Sequence, residues 1–181
     1  MTKTKELETK NLKLRKIEID DYKDIYNCWT SDYEVSKYVT WNSHKSDEDT
    51  KKLVNYWVNE YSNDNSFRWL VTIKNSNEII GMIDAISINM QYMTVEVGYC
   101  YGSKYWGKGY ATEALEKVIN FLHEEGFVVV YAQHFVSNVA SGKVMKKSGM
   151  EYEATLKSRV INKNNVREDV CVYSSIKLND K

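Results

Sequence analysis

Apolar positions along the chain change their period repeatedly, and each change marks a new element. Residues from Leu12 to Ile17 alternate as a strand. Asp20 or Asp21 then caps a helix reaching about Trp29. Thr40 to Lys45 reads as a loop, and Ser46-Asp-Glu-Asp opens a second helix with a near capping box, its buried stripe formed by Leu53, Val54, Trp57, Val58 and Tyr61. Past the polar turn at residues 62–66 come two strands, Phe67 to Lys74 and Glu78 to Ile88, joined by a hairpin connection. A further strand, Met93 to Tyr101, runs into a glycine-rich turn and a long helix. That helix carries Ala111, Ala114, Leu115, Val118, Ile119 and Leu122 on one stripe and stops at Gly126. The remainder is a strand through Val128–Phe135, a short helix from Asn138 to Gly149, a strand near Met150–Val160, a turn at Asn162–Asn165, and a last strand through about Leu178. The resulting order is β-α-α-β-β-β-α-β-α-β-β. The chain reads as one α/β (α+β) domain over residues 1–181, with no linker, no repeat and no proline.

The turn Gly102-Ser-Lys-Tyr-Trp-Gly107-Lys-Gly109 carries the strongest chemical signal. A helix start exposes unpaired N–H groups and the positive end of the helix dipole, and glycines there let a ligand approach the backbone. Such a turn suits phosphates. From glycines alone, a flexible turn without a ligand is the better reading. Two phosphate-binding patterns fail at this site. Gly109 stands where a P-loop needs the Ser or Thr that binds magnesium, and Thr112 replaces the third glycine of a dinucleotide fingerprint.

Composition narrows the field further. The 25 Lys+Arg balance 25 Asp+Glu, so overall charge gives no case for nucleic acid or an anionic membrane. A chain of 181 residues with 43% hydrophobic content fills one core. Cys28, Cys100 and Cys171 lie far apart without a C-x-x-C pair and read as small buried hydrophobes in a reducing compartment. His44, His123 and His134 lack metal-ligand spacing, so no metal site is expected. No signal-peptide pattern opens the chain, and no apolar run approaches the roughly 20 residues of a membrane span, so a soluble, cytoplasmic protein is expected.

Lys104-Tyr-Trp-Gly107-Lys-Gly109 resembles the pyrophosphate loop Q/R-x-x-G-x-G/A of the GCN5-related N-acetyltransferases (GNAT), with Lys in place of Gln or Arg. The wider string Tyr105-Trp-Gly-Lys-Gly-Tyr-Ala-Thr-Glu-Ala-Leu115 resembles more specifically the branch of RimJ/RimL-type ribosomal-protein N-terminal acetyltransferases. Asn138-Val-Ala-Ser141-Gly-Lys-Val144-Met-Lys-Lys147-Ser-Gly149 resembles the same branch's N-x-A-S-x-x-V-x-x-K-x-G segment. Family members often carry proline where this chain has Ser103, so the loop is expected to be looser here.

The resemblance implies the GNAT fold: a mixed, mostly antiparallel sheet that splays after its fourth strand, with helices on both faces. It also implies transfer of an acetyl group from acetyl-CoA to a primary amine. Main-chain groups of Trp106, Gly107, Lys108, Gly109, Tyr110, Ala111 and Thr112 would hold the CoA diphosphate. Cys100 and Tyr101 would bond the pantetheine arm, and a backbone N–H near Val97 or Gly98 would face the thioester carbonyl. Ser141 would donate to the departing thiolate, and Asn138 would bind the pantetheine amide or a water. Glu96 is the candidate base: it shares a strand face with Thr94, Gly98 and Cys100, opposite the apolar odd-numbered positions, and a carboxylate in a central strand must be paired or used. For Glu96 the alternative is a structural salt bridge, and for Asn138 and Ser141 it is helix capping and solvent exposure.

The acceptor stays open between a ribosomal-type protein or peptide N-terminus and a small amine such as a polyamine, antibiotic or amino acid. A non-catalytic CoA-binding module is the rival from another class. Asp32, Glu34, Asp84 and Glu96 are the acidic residues placed to receive a cationic amine. A homodimer is common in this branch, though no residue compels one.

Overall fold

The computed structural model describes residues 4–63 and 66–178. Eight strands form a single open sheet in the order β1-β2-β3-β4-β5-β6-β8-β7. They are β1 (Leu7–Glu8), β2 (Leu12–Arg15), β3 (Arg68–Ile73), β4 (Ile79–Asn89), β5 (Thr94–Tyr101), β6 (Val129–Phe135), β7 (Glu151–Ile161) and β8 (Arg167–Ile176). Every neighbouring pair is antiparallel except β5 with β6. The expected strands differ from these by no more than two residues at their ends. The addition is β1, which pairs Leu7 with Leu14 and is too short to show alternation.

Helices cover both faces. On one side α4 (Tyr110–Glu124) and α5 (Val139–Lys147) pack together, with Ser148 Oγ donating to the Thr112 carbonyl. The apolar stripe of α4 is buried as expected from Ala114 to Leu122, and Phe121 joins a ring cluster with Phe67, Trp69 and Phe127. On the other side lie α1 (Tyr22–Ile25), α2 (Tyr33–Ser36) and α3 (Asp47–Glu60). Of the stripe expected on α3, Val54 is fully buried while Leu53, Trp57, Val58 and Tyr61 are half-buried. Tyr61 donates its hydroxyl to the Arg68 carbonyl and accepts from Ile17 N, so its polar tip ties α3 to the sheet.

The single helix expected from Asp20 or Asp21 to Trp29 is instead a broken run. A 3-10 turn at Ile19–Asp21 precedes α1, and a π-helical turn at Tyr26–Thr30 follows it. Asp21 sits inside the first turn rather than before it: its carboxylate accepts from Glu18 N and is gripped by both terminal nitrogens of Arg15. At the far end the backbone N–H and hydroxyl of Ser31 both reach back to the Tyr26 carbonyl, which widens the last turn to π geometry. No helix among the described residues is long and apolar enough to cross a membrane.

Candidate active site

The parallel pairing of β5 with β6 lasts three residues, Thr94–Glu96 against Val129–Tyr131. Beyond them β5 stays bonded to β4 as far as Tyr101, and β6 to β8 as far as Phe135. The two strands therefore part and leave facing main-chain edges from Val97 and from Ala132 onward. This is the expected splay, after the fifth strand because β1 adds one to the count. An unpaired strand edge accepts another strand or any chain that hydrogen-bonds like one. At the end of β5 the indole of Trp106 donates to the Tyr101 carbonyl at 2.8 Å, so that acceptor is already in use.

The edge at Tyr101 leads straight into the glycine turn. Gly107 (φ 74°) and Gly109 (φ 86°) are left-handed, and a Cβ on either would meet no atom within 4 Å. Backbone conformation demands these glycines, and open space lies outside the loop. The first helical bond of α4 runs from Glu113 N to Gly109 O, so Tyr110, Ala111 and Thr112 keep free N–H groups. Gly107, Lys108 and Gly109 likewise donate to nothing among the described residues, whereas Trp106 N is spent on Ser103 O. Lys104 pairs with Glu78 at 3.0 Å, beside the Tyr105 hydroxyl on the same carboxylate. Lys108 lies over the Tyr105 ring at 5.4 Å. Two cations thus flank a row of six free N–H groups at a helix start, an arrangement that suits a diphosphate.

Glu96 projects to the α1–α3 side, away from buried Val95 and Val97. Its Oε1 accepts from Gln133 Nε2 at 2.8 Å, and Tyr131 is its cross-strand neighbour on β6. Desolvation first, then the charge and hydrogen bond of Glu96, raise the Tyr131 hydroxyl above its ordinary value. Among the described residues Glu96 has no ion pair, so the salt-bridge alternative is not what holds it. Glu96, Tyr131, Gln133, Glu153, Leu156 and Arg159 line a cleft of about 510 Å³ on a part of the sheet that no helix covers.

Ser141 sits on the opposite face, in the first turn of α5, against Tyr99 of β5. Tyr99 donates to the Ser141 carbonyl at 3.0 Å and shares a 2.7 Å contact with Ser141 Oγ. A phenol has one proton, so with Tyr99 committed to the carbonyl the serine is the donor in the shorter contact. Burial pushes the Tyr99 hydroxyl above its usual range, and the hydrogen bond with Ser141 opposes this only in part. Asn138 caps α5, its Oδ1 accepting from Ser141 N at 3.3 Å. Burial lifts Cys28 to about 11 and raises Cys100 well above its ordinary value, so neither thiol ionises near neutrality.

The four acidic residues singled out for an amine divide into pairs. Asp32 is committed to the Glu34 N–H at the start of α2 and to Ser103 N, and Glu34 pairs with Lys37 on the surface. Asp84 and Glu96 share one face of the sheet, Asp84 lying directly across from Gly98 in register. Two features escape sequence reasoning. Tyr99 reads as an inward core position, and its partner lies 42 residues away. Lys163, in the β7–β8 turn, donates to the carbonyl and hydroxyl of Ser36 and lies over the Tyr33 ring, fastening that turn to α2. The only signal for that bridge was the polar turn Asn162–Asn165 itself.

Comparison with known proteins agrees with this fold. The chain is 28% identical over 172 residues to the uncharacterized N-acetyltransferase YoaA of Bacillus subtilis (strain 168), covering 94% of this chain and 96% of YoaA. It is 28% identical over 136 residues, 73% of either chain, to the ribosomal-protein-serine acetyltransferase of Escherichia coli (strain K12). The crystal structure of a GNAT-family acetyltransferase from Bacillus anthracis superposes with a TM-score of 0.82 at 26% identity, over 95% of this chain and 98% of that one. Residues 11–151 match the acetyltransferase (GNAT) domain family. The chain is a member of that family, an N-acetyltransferase of the GNAT fold.

Proposed function

We propose that the protein moves an acetyl group from acetyl-CoA to the free amino group of a protein or peptide N-terminus. The observation that carries the donor half is the parting of β5 and β6 at Val97, which opens a strand edge leading directly to the free N–H row of Gly107–Thr112. The CoA diphosphate rests on that row. The pantetheine arm runs along β5 past Cys100 and Tyr101 towards Asn138, whose side-chain N–H₂ has no acceptor among the described residues. The thioester carbonyl faces the N–H of Val97 or Gly98. Such a donor contributes on the order of 3 kcal/mol to stabilising the tetrahedral oxyanion.

The acceptor approaches from the cleft beside Glu96. Glu96 takes the ammonium proton, directly or through a water, and the freed nitrogen lone pair attacks the carbonyl carbon. The C–N bond forms and the C–S bond breaks. The departing thiolate accepts a hydrogen bond from Ser141 Oγ, which Tyr99 positions through the Ser141 carbonyl, and it is protonated by the hydrogen that the nitrogen sheds as the amide forms. Serine is a poor acid, so this relay supplies a hydrogen bond rather than a full proton.

The E. coli relative, which is named for a ribosomal-protein serine, supports a protein N-terminus as acceptor. A small-molecule amine is the second reading, favoured by the Lys163–Ser36 bridge, which fastens the β7–β8 turn to α2. The test is release of free CoA from acetyl-CoA with peptide N-termini, polyamines and aminoglycosides offered separately. A higher kcat/KM with peptides than with the small amines is expected. Turnover confined to a small amine selects the second reading, and CoA binding without turnover of any amine indicates a non-catalytic module.

A further inference from the structure

A row of three residues crosses the sheet at right angles to its strands: Arg68 on β3, Asp84 directly opposite on β4, and Gly98 directly opposite on β5. Gly98 lies beyond the last β5–β6 pair, at the splayed edge. The row therefore runs from under the Trp57 ring, 5.3 Å above the Arg68 guanidinium, to the main chain against which an acyl group would lie.

The ion pair within this row is incomplete. Arginine–carboxylate pairs are frequently bidentate, two nitrogens on two oxygens. Here Nε (3.3 Å) and Nη2 (3.2 Å) of Arg68 converge on the same oxygen, Oδ2 of Asp84. Arg68 Nη1 is buried without a partner. Oδ1 of Asp84 accepts from nothing among the described residues, yet it is not sealed off, and 20% of the Asp84 side chain is exposed. Oδ1 lies 3.6 Å from the point where a Cβ on Gly98 would stand. Ile86, set in the bulge of β4 and 61% exposed, lies across the same glycine. A lone carboxylate oxygen beside a bare glycine and an apolar side chain matches an alkylammonium group, with hydrogens for the oxygen and carbon for the isoleucine.

We propose that Asp84 is a specificity residue of the acceptor site, its free Oδ1 taking the ammonium group of the incoming amine while Arg68 fixes the carboxylate and Ile86 covers the adjoining carbon. This rests on the acetyltransferase reading and adds a second carboxylate to Glu96. Glu96 removes the proton, and Asp84 selects and holds the cation. The site then favours an unhindered primary amine over a neutral or anionic acceptor.

The experiment is steady-state CoA release with n-butylammonium chloride and a serine-initiated tetrapeptide as acceptors, alongside calorimetric titration with CoA. Asp84→Asn keeps the shape and removes the charge. The double variant Arg68→Met with Asp84→Leu removes both buried charges together, a change such pairs tolerate in folding. Both variants are expected to raise the KM for either amine at least tenfold while CoA affinity stays within twofold and kcat falls less than the KM rises. A purely structural pair predicts lowered melting temperature with unchanged KM. An amine KM within twofold of wild type, in either variant that still binds CoA, overturns the proposal, as does a wild type that binds CoA yet shows no saturable turnover of either amine. Absence of CoA binding by the wild type sinks the acetyltransferase reading itself.

Discussion

The chemistry rests on individual side chains. Glu96 is held by Gln133 and faces the cleft, so Glu96→Gln is expected to lower turnover and flatten the rise of rate with pH, read from a pH–rate profile. An unchanged profile removes Glu96 from the mechanism. Ser141→Ala is expected to depress turnover more than it weakens acetyl-CoA binding. Tyr99→Phe is expected to do the same, and the double variant to be no slower than Ser141→Ala by more than about twofold, because groups in one relay are not additive. Fully multiplicative losses would separate the two residues. Glu96 and Ser141 were legible in the sequence, the first as a carboxylate breaking an apolar strand and the second within a motif. Tyr99 was not, since a tyrosine at an inward strand position looks like core until its partner on α5 is seen. Of the two readings of Asn138 the structure shows the cap, Oδ1 accepting from Ser141 N, and the N–H₂ group has no acceptor among the described residues.

Among elements, α4 is held at its start by two devices that serve different ends. Gly109, at φ 86°, sets the turn that aims the free N–H groups outward. Gly109→Ala puts a side chain in a left-handed conformation at about 1–2 kcal/mol and stands its methyl in the space outside the loop. CoA affinity measured by calorimetry is expected to fall at least tenfold. Glu113, one turn in, accepts from Asn11 N (2.8 Å) and Asn11 Nδ2 (2.9 Å), tying the β1–β2 turn to the helix. Burial raises its pKa, but hydrogen bonds from Thr9 and Asn11 outweigh this and leave it below its usual 4.5. A depressed carboxylate stabilises the fold above the unfolded value and loses that contribution as pH falls through the folded one. Glu113→Gln should therefore cost about 1 kcal/mol at pH 7 in a denaturant titration, discounted for partial exposure, and the gap should close below pH 4.5. The long periodic helices and β4 and β5 were legible from their patterns. The segment from Asp20 to Ser36 was not, because Ser31 and Asp21 redirect the backbone through bonds that no periodicity records.

Over the whole molecule, α2 links the glycine turn to the β7–β8 turn. Asp32 at its start bonds Ser103 N beside the glycine turn, and Ser36 at its end holds Lys163 from the β7–β8 turn, 127 residues away. Lys163→Ala is expected to raise the KM for the acceptor several-fold with CoA affinity unchanged, and to speed amide exchange in α2. An acceptor KM that does not move would make the bridge structural only. Element order followed from pattern and the splay from the family resemblance, whereas this bridge joins distant loops and has no local signature. A CoA diphosphate seated on the N–H groups of Gly107–Thr112 gives a binding signal in calorimetric titration of the protein with CoA. Saturable one-to-one binding, lost in Gly109→Val, is predicted. No heat of binding, or binding that Gly109→Val leaves untouched, would contradict it.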